Sequence, residues 1–289
     1  MGFWSFAGAT TSGATVRSAN LSLTVSQGVP APAVLQAPSN LASGVDRFPQ
    51  LSWSAVSGAS QYRVELAAGG NFAAPLIDTM VSLNQLAVTT ALQANTAYSW
   101  RVTASSPCGN ATPSSTFSFT TGSALCSSQP LIIPDNSPGG VSRSFNLGSD
   151  GRLLTDLDVS AMITHSYVGD LSLRLRREAS GTDVLLIDRP GVPASANGCS
   201  GDNIDVTLDD EAASPVESQC AGGATTINGR FRPNNPLSAF DGLQLAGSWT
   251  LTVSDSVAVD TGNLTRFCFL PALAAGSQIF HNGFESATP

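Results

Sequence analysis

Short runs in which apolar and polar residues alternate recur along the chain, and this period of two constrains the fold more than any other feature. One run extends from Tyr62 to Leu66 and another from Leu171 to Leu175. Gly, Pro, Asn and Ser bound these runs, whereas helical periodicity is nearly absent. Because alternation places one face of each strand in a core, the pattern predicts an all-β chain of sandwich type.

The arrangement of these runs predicts two consecutive β-sandwiches. With 289 residues, the chain is long enough for two domains that each bury a core. Prolines at 30, 32 and 38 interrupt strand pairing and mark a linker. We predict a remnant of an upstream β-domain (or alternatively a disordered tail) at 1–27, the linker at 28–37, the sandwiches at 38–122 and 126–270, and a C-terminal tail at 271–289.

Within the second sandwich, the segment from Leu154 to Ile163 predicts one long strand. Side chains of a strand point alternately to its two faces. We therefore expect three apolar side chains near the core and two carboxylates facing out: Leu157, Val159 and Met162 inside, Asp156 and Asp158 outside.

The charge is concentrated in the second sandwich. The chain has a net charge of −8, and residues 126–270 alone contain nine Arg against seventeen Asp and Glu. An acidic surface repels the phosphate backbone, so nucleic acid is not expected as a partner. It suits divalent cations better.

The first sandwich contains a set of core positions that resembles a known module. Leu51 and Trp53 form a short inward-facing run, the strand from Tyr62 to Leu66 follows, and a longer segment extends from Leu92 to Val102. The order of these residues resembles a fibronectin type III domain. The resemblance implies a Greek-key sandwich in which Tyr98 is the tyrosine-corner residue, with its hydroxyl directed to the backbone upstream.

The second sandwich resembles the P domain (Homo B domain) of proprotein convertases, in its bacterial form. The residues that carry the resemblance are His165 with Gly169, Asp170 and Leu171; the Gly201-Asp202 loop; the segment from Leu237 to Phe240; and the alternating strand from Gly247 through Trp249 to Asp255. The resemblance implies a jelly-roll-like sandwich that follows a subtilisin-type catalytic domain and supports its folding and stability.

These resemblances predict the function of the chain. We expect the non-catalytic C-terminal region of an exported bacterial protease, whose partner is a catalytic domain that this chain does not contain. Because P domains accompany serine endopeptidases, the chain is associated with proteolysis. The alternative is a cell-surface adhesion or scaffold protein built of β-sandwich binding modules.

A catalytic site within the chain is not expected. A serine protease needs a nucleophile, a base and an orienting acid in one place, and the sequence contains two histidines. His281 lies in the predicted tail, and His165 lies between two predicted strands, where we expect it to form hydrogen bonds in a turn. Neither a Gly-x-Ser-x-Gly elbow nor a His-Glu-x-x-His motif occurs.

An acidic loop is the best candidate for a cation site. It carries five carboxylates within ten positions, namely Asp202, Asp205, Asp209, Asp210 and Glu211. Such crowding is repulsive unless solvent or a hard cation neutralises it, and calcium prefers oxygen ligands. We predict that these residues bind calcium; the alternative is a solvated acidic loop.

The disulfide pattern follows from the direction of the strands. Cys108 follows the Tyr98 strand at one end of the first sandwich, whereas Cys126 comes after the last strand has returned to the other end. That strand spans roughly 23 Å, and a disulfide needs Cα atoms within about 7 Å. We therefore predict Cys126–Cys268 and Cys199–Cys220, with Cys108 unpaired or bonded to an upstream region.

The sequence also predicts the compartment. Sparse cysteines in a Ser- and Thr-rich β-protein fit an oxidising environment, either secreted or at the cell surface. The first 21 residues lack the basic and apolar regions of a signal peptide, so we expect a fragment of a longer exported protein. No stretch of eighteen apolar residues occurs, so no membrane span is expected. The segment from Ile279 to Glu285 resembles a C-terminal sorting signature; a disordered end is the alternative.

Overall fold

A computed structural model describes residues 28–148, 151–192, 194–221 and 223–274. The expectations for residues 1–27 and for the C-terminal segment that contains His281 lie outside these ranges. Within them, strands are joined by loops and by three short 3₁₀ helices, at Val168–Asp170, Val216–Ser218 and Leu237–Phe240, and there is no α-helix. The all-β prediction is confirmed. None of the helices in the described ranges has the length and apolar character required to cross a membrane.

The N-terminal sandwich (residues 33–121) consists of two sheets. Its strands are β1 (Leu35–Ala37), β2 (Ala42–Val45), β3 (Gln50–Trp53), β4 (Gln61–Ala68), β5 (Ile77–Val81), β6 (Gln85–Ala87), β7 (Ala97–Ser106), β8 (Gly109–Asn110) and β9 (Phe117–Thr121). One sheet has the order β1-β3-β6 and the other the order β2-β9-β7-β4-β5, with β8 on β7. The two sheets enclose one apolar core.

Aromatic side chains fill this core. Trp53 on β3 and Trp100 on β7 are fully buried, and Trp53 contacts Tyr62 edge to face at 5.4 Å. Tyr98 is 2 % exposed, and the Gln93 N–H donates to its hydroxyl at 2.9 Å. The hydroxyl thus joins the backbone upstream, as expected for a tyrosine-corner residue.

The C-terminal sandwich (residues 125–274) also consists of two sheets. Its strands are β10 (Leu125–Ser127), β11 (Leu131–Ile133), β12 (Ser137–Leu147), β13 (Leu154–His165), β14 (Leu171–Arg177), β15 (Thr182–Asp188), β16 (Ile204–Leu208), β17 (Ile227–Phe231), β18 (Gly247–Asp255) and β19 (Gly262–Leu273). One sheet has the order β10-β19-β13-β16-β17, with β11 on β19, and the other has the order β12-β18-β14-β15. Only the β16–β17 pair among these ladders is parallel.

Burial along β13 alternates as a half-buried strand requires. Leu157 and Val159 are fully buried, and Asp156 and Asp158 lie on the opposite face. The prediction for Met162 is wrong, because its side chain is 38 % exposed. Alternation from Leu157 places odd-numbered positions inside, so Ala161 and Ile163 occupy the core instead.

Both predicted disulfides form. Cys126 on β10 bonds to Cys268, which is its direct partner in the ladder with β19, at a Cα–Cα distance of 4.1 Å. Cys199 bonds to Cys220 at a Cα–Cα distance of 5.6 Å and closes the loop that contains β16. Cys108 is free and exposed. Disulfides of this kind fit an extracellular protein.

The two sandwiches share a buried aromatic contact. Phe48, from the loop before β3, is 1 % exposed and belongs to the core of the C-terminal sandwich. Its ring meets that of Phe145 on β12 edge to face at 5.0 Å. Ala91 is buried in the same core. A side chain of the first sandwich therefore completes the core of the second.

Hydrogen bonds reinforce this interface. The buried Gln129 amide donates to the carbonyls of Phe48 and Pro49, each at 2.9 Å. The Ala91 N–H donates to the Asn146 carbonyl, and the Asn146 N–H donates to the Thr89 carbonyl, both at 2.8 Å. These backbone bonds cover the free edge of β12, which would otherwise expose unpaired groups.

The interface predicts that the two sandwiches unfold together. We expect a single cooperative transition in calorimetry, and Phe48→Ala should lower the free energy of unfolding by about 3–5 kcal/mol, because it leaves a cavity against Phe145. Phe72→Ala is the matched control, since Phe72 is only half-buried and lies within the N-terminal sandwich. Two resolved transitions, with Phe48→Ala affecting one alone, would contradict the shared core.

Candidate functional site

The loops at one end of the C-terminal sandwich hold its only described histidine. His165 is the last residue of β13, and its side chain is fully buried. Nδ1 lies 2.9 Å from the Tyr167 carbonyl oxygen, and the Tyr167 N–H is 3.2 Å from the same nitrogen. Nε2 lies 3.3 Å from Oδ2 of Asp255, which is equally buried. Both ring nitrogens therefore face polar groups of the protein.

Two buried carboxylates accompany this histidine. Asp255 ends β18, and its Oδ1 accepts the N–H of Val257 at 3.0 Å. Asp170 follows in the 3₁₀ helix Val168–Asp170 and is 3 % exposed. Burial raises the pKa of Asp170, the negative charge of Asp255 raises it further, and the nearby Arg189 guanidinium opposes the shift. Through buried polar side chains, the arrangement joins the loop that follows β13, which contains Tyr167, to the loop that follows β18, which contains Val257.

Close backbone packing fixes the same loops. A Cβ at Gly169 would collide with the backbone of Cys199, and a Cβ at Gly262 would collide with the Thr164 carbonyl and the His165 ring. The Gly169 N–H donates to the Cys199 carbonyl at 2.9 Å. Only glycine fits at such approaches, so these residues and the Cys199–Cys220 bond hold the loops in one conformation.

This geometry does not assemble an acyl-transfer site. Ser166 is next to His165, but its hydroxyl donates to Oδ1 of Asp260 at 2.7 Å instead of facing the imidazole. In the part of the chain that the structure describes, no hydroxyl or thiol hydrogen-bonds to a His165 ring nitrogen. A triad requires a nucleophile within reach of the base. Among the described residues, His165 therefore contacts backbone groups of Tyr167 and the carboxylate of Asp255, and no nucleophile lies within its reach.

The five carboxylates of the predicted calcium site do not come together. Asp202 lies before β16 and lines an open cleft of about 680 Å³ with His165 and Asn203. Asp209 lies beyond the other end of β16, a strand of 5 residues that spans roughly 16 Å. One ion cannot be bound across this distance, since its ligands lie at about 2.3–2.6 Å.

The fold already engages two of these side chains and places a third in a strand. Asp209 is buried and pairs with Arg230, which lowers the pKa of the Asp209 carboxyl. Asp210 accepts the backbone N–H groups of Leu237 and Ser238, each at 2.8 Å, and so caps the 3₁₀ helix Leu237–Phe240. Asp205 lies within β16, opposite Met162 in the β13 ladder. Of the five, Glu211 is the one that joins a carboxylate cluster.

That cluster consists of Asp156 and Asp158 on β13 together with Glu211 from the loop after β16. One carboxylate oxygen of each lies within 4.8 Å of the others. Oδ2 of Asp158 lies 3.1 Å from Nη2 of Arg230, whereas its Oδ1 is buried and has no hydrogen-bond partner among the described residues. Burial, and next the charge of Asp209, raise the pKa of Asp158 to about 6. Oxygen donors of this kind suit a hard cation.

Sequence reasoning missed two parts of these sites. The predicted outward orientation of Asp156 and Asp158 was correct, since both side chains point away from the core face of β13. Their proximity to Glu211, however, depends on the pairing of β13 with β16. Likewise, Asp255 was recognised as the end of a motif but not as the partner of His165. The available signal was that both residues end strands that meet at the same end of a sandwich.

The His165–Asp255 pair predicts a large effect of one substitution. Asp255→Ala should lower the free energy of unfolding by about 3–5 kcal/mol, because it leaves a buried histidine without its partner and the Val257 N–H without its acceptor. Asp183→Ala removes an exposed ion pair with Arg174 and should cost about 0–1 kcal/mol. Urea unfolding measures both, and equal costs would contradict a structural role for the buried pair.

Comparison with known proteins finds a family model that matches part of the chain. Residues 154–269 match the model of the proprotein convertase P-domain. The matched segment starts at the first residue of β13, ends within β19, and contains His165, Asp170 and Asp255. No curated protein sequence matches the chain.

Three solved structures are among those to which the chain is weakly similar. The serine protease of Aeromonas sobria in complex with the chaperone ORF2 is 14 % identical over 51 % of this chain and 26 % of its own, with a TM-score of 0.30. FN3tt is 24 % identical over 32 % of this chain and 91 % of its own, with a TM-score of 0.23. The fibronectin type-III domain of human fibronectin type III domain containing protein 3 is 23 % identical over 39 % of this chain and 93 % of its own, with a TM-score of 0.23.

Likenesses of this size carry no argument about function, and the chain spans about a quarter of the Aeromonas protease. The family model, in contrast, depends on the sequence of the C-terminal sandwich itself and includes the buried residues of its loop end. Residues 154–269 are accordingly supported as a proprotein convertase P-domain.

Proposed function

We propose that this chain is a non-catalytic C-terminal region of an exported bacterial serine endopeptidase, in which it stabilises or positions the catalytic domain. The match of residues 154–269 to the P-domain carries the proposal. Domains of this family accompany proteases, and a module that binds only the native catalytic domain shifts the unfolding equilibrium of that domain towards the folded state.

The geometry of the loop end supports a non-catalytic role. Its histidine is buried against Asp255, and the adjacent Ser166 is bonded to Asp260. The two disulfides fit an exported protein. The N-terminal sandwich then holds the C-terminal one through Phe48, whose ring contacts Phe145 and whose carbonyl accepts from Gln129, so that the pair is presented to a catalytic domain as one body.

Active-site labelling tests this proposal. An antibody against residues 28–274 is used to recover the native protein from its host, and a fluorophosphonate probe then labels serine hydrolases in the recovered material. We expect a labelled catalytic domain, either on a longer polypeptide or bound to the chain, and no label on the purified chain itself. Label on the purified chain, or no labelled partner in the host material, would refute the proposal.

We further propose that calcium binds at Asp156, Asp158 and Glu211. The supporting observations are three converging carboxylate oxygens and the buried Oδ1 of Asp158 without a hydrogen-bond donor among the described residues. Calcium needs six to eight oxygens, so loop carbonyls and water would complete its shell.

Thermal unfolding with and without calcium tests the ion. In 1 mM CaCl₂, the wild-type chain should melt roughly 2–6 °C higher than in EDTA, because a ligand that binds only the folded state stabilises it. Asp158→Asn should abolish this difference, whereas Asp202→Asn and Asp205→Asn should retain it. An equal melting temperature of the wild type in both buffers would exclude the site, and loss through Asp202→Asn would favour the cleft beside His165.

A further inference from the structure

A small pocket lies beside the 3₁₀ helix Val168–Asp170, next to the buried histidine. It has a volume of about 260 Å³ and is lined by Tyr167, Asp170, Asn197, Val257 and Asp260. Pockets for whole small molecules measure about 300–1,000 Å³, and a single water needs far less space. The pocket is therefore of a size that suits one long side chain.

The carboxylate of Asp170 lies in this pocket without a hydrogen-bond donor. Its side chain is 4 % exposed, and the cationic group that faces it, Nη2 of Arg189, is 3.9 Å from Oδ1. Arg189 is held at this distance because its Nε donates to the Gly169 carbonyl at 3.2 Å. Among residues 28–148, 151–192, 194–221 and 223–274, no group donates a hydrogen bond to either Asp170 oxygen. A buried carboxylate normally accepts several such bonds.

The charge around Asp170 is incompletely balanced. Burial and the charge of Asp255 raise the pKa of Asp170, and the opposing effects of Arg189 and His165 do not cancel this rise. Asp260, a second carboxylate at the pocket, accepts one hydrogen bond from Ser166 through Oδ1. A positive charge placed between Asp170 and Asp260 would therefore be stabilised in a poorly hydrated environment.

Besides the two carboxylates, the pocket is lined by Tyr167, Val257 and the polar Asn197. Val257 is 41 % exposed beside the pocket, and Val259 in the same loop is 87 % exposed. The Val259 N–H donates to Oδ1 of Asp135 at 3.0 Å, and its φ of 100° is rare for a β-branched residue. Backbone strain of this kind persists only where the surroundings enforce it and is frequent at binding sites.

We propose that this pocket binds an arginine side chain of a partner polypeptide, with its guanidinium between Asp170 and Asp260 and its aliphatic stem on Val257 and Tyr167. The planar guanidinium offers five donors in a fixed fork, which suits two separate carboxylates better than an ammonium does. Apolar residues flanking the arginine would contact Val257 and Val259. A divalent ion fits less well, because the carboxylates that converge closely enough for a metal are those at Asp156, Asp158 and Glu211.

Titration by NMR with small probes tests the pocket and requires no protease, so its outcome is independent of the proposed function. ¹⁵N-labelled chain is titrated with N-acetyl-arginine methylamide and, separately, with the neutral isostere N-acetyl-citrulline methylamide. We expect saturable amide shifts at Tyr167, Asn197 and Val257 with the arginine probe and none with citrulline. The absence of saturable shifts with arginine, or equal shifts with citrulline, would overturn the inference.

Substitutions assign the binding to the two carboxylates. Asp170→Asn should lower the affinity for the arginine probe by about tenfold or more, because it removes one partner of a buried charge pair. Asp260→Asn should lower this affinity by roughly threefold. Asp202→Asn changes a carboxylate of the neighbouring cleft and should have no effect. If Asp170→Asn does not fold, Asp260→Asn decides the test, and an unchanged affinity overturns the proposal. Displacement of the arginine probe by CaCl₂ at the same amides would likewise overturn it in favour of a metal site.

Discussion

The packing of Phe145 against aromatic rings from both sandwiches is the interaction on which the rest of this structure depends. Its ring meets Phe48 of the N-terminal sandwich at 5.0 Å, and it meets Phe267 and Phe269 of β19 at 5.8 and 5.4 Å. Aromatic pairs in such geometry add about 0.5–1.5 kcal/mol each beyond the burial of their surface. Neither sandwich completes this cluster alone, so the cluster holds the two sandwiches against each other.

Strand β19 connects the aromatic cluster to the end of the C-terminal sandwich at which His165 lies. Its centre carries Phe267, Cys268 and Phe269, and Cys268 bonds to β10 beside the interface. Its beginning, Gly262, lies directly opposite His165 in the ladder with β13. A shift of β19 by one residue would turn its aromatic side chains away from the core and would replace Gly262, the residue without a side chain opposite His165, by a residue whose Cβ collides with the His165 ring. The aromatic cluster and the packing around His165 therefore depend on one register.

Stability alone does not explain the presence of the buried His165–Asp255 pair. Removing polar and charged groups from water costs free energy, and well-packed apolar residues are often equally stable in such places. The His165–Asp255 pair also determines the path of two loops, since the imidazole contacts Tyr167 and the carboxylate accepts the Val257 N–H. An apolar pair could fill the volume but could not determine the path of both loops.

The features that the sequence predicts depend on residues that are close together in the chain, whereas those that it misses depend on contacts between distant segments. Alternation predicted the strands of both sandwiches because it depends on local spacing, and strand direction excluded a Cys108–Cys126 bond because the strand between these cysteines is local as well. Met162 was misplaced through a parity error within a correctly identified strand. The calcium ligands were grouped by proximity in sequence, but an extended β16 separates Asp202 from Asp209 and brings Glu211 to β13 instead. Such meetings depend on strand order, which a single sequence does not encode locally.

Strand order also divides the carboxylates of the C-terminal sandwich into two kinds. Asp209 is engaged by an arginine and Asp210 by a helix terminus, so the fold accounts for them. Oδ1 of Asp158 instead lacks a hydrogen-bond partner among the described residues, and the cation that faces Asp170 lies 3.9 Å from its Oδ1; burial raises the pKa of both carboxyls. A fold selected for stability alone would replace or pair such groups. Because they lie in separate places, one in a carboxylate cluster and one in a pocket, we propose a different ligand for each.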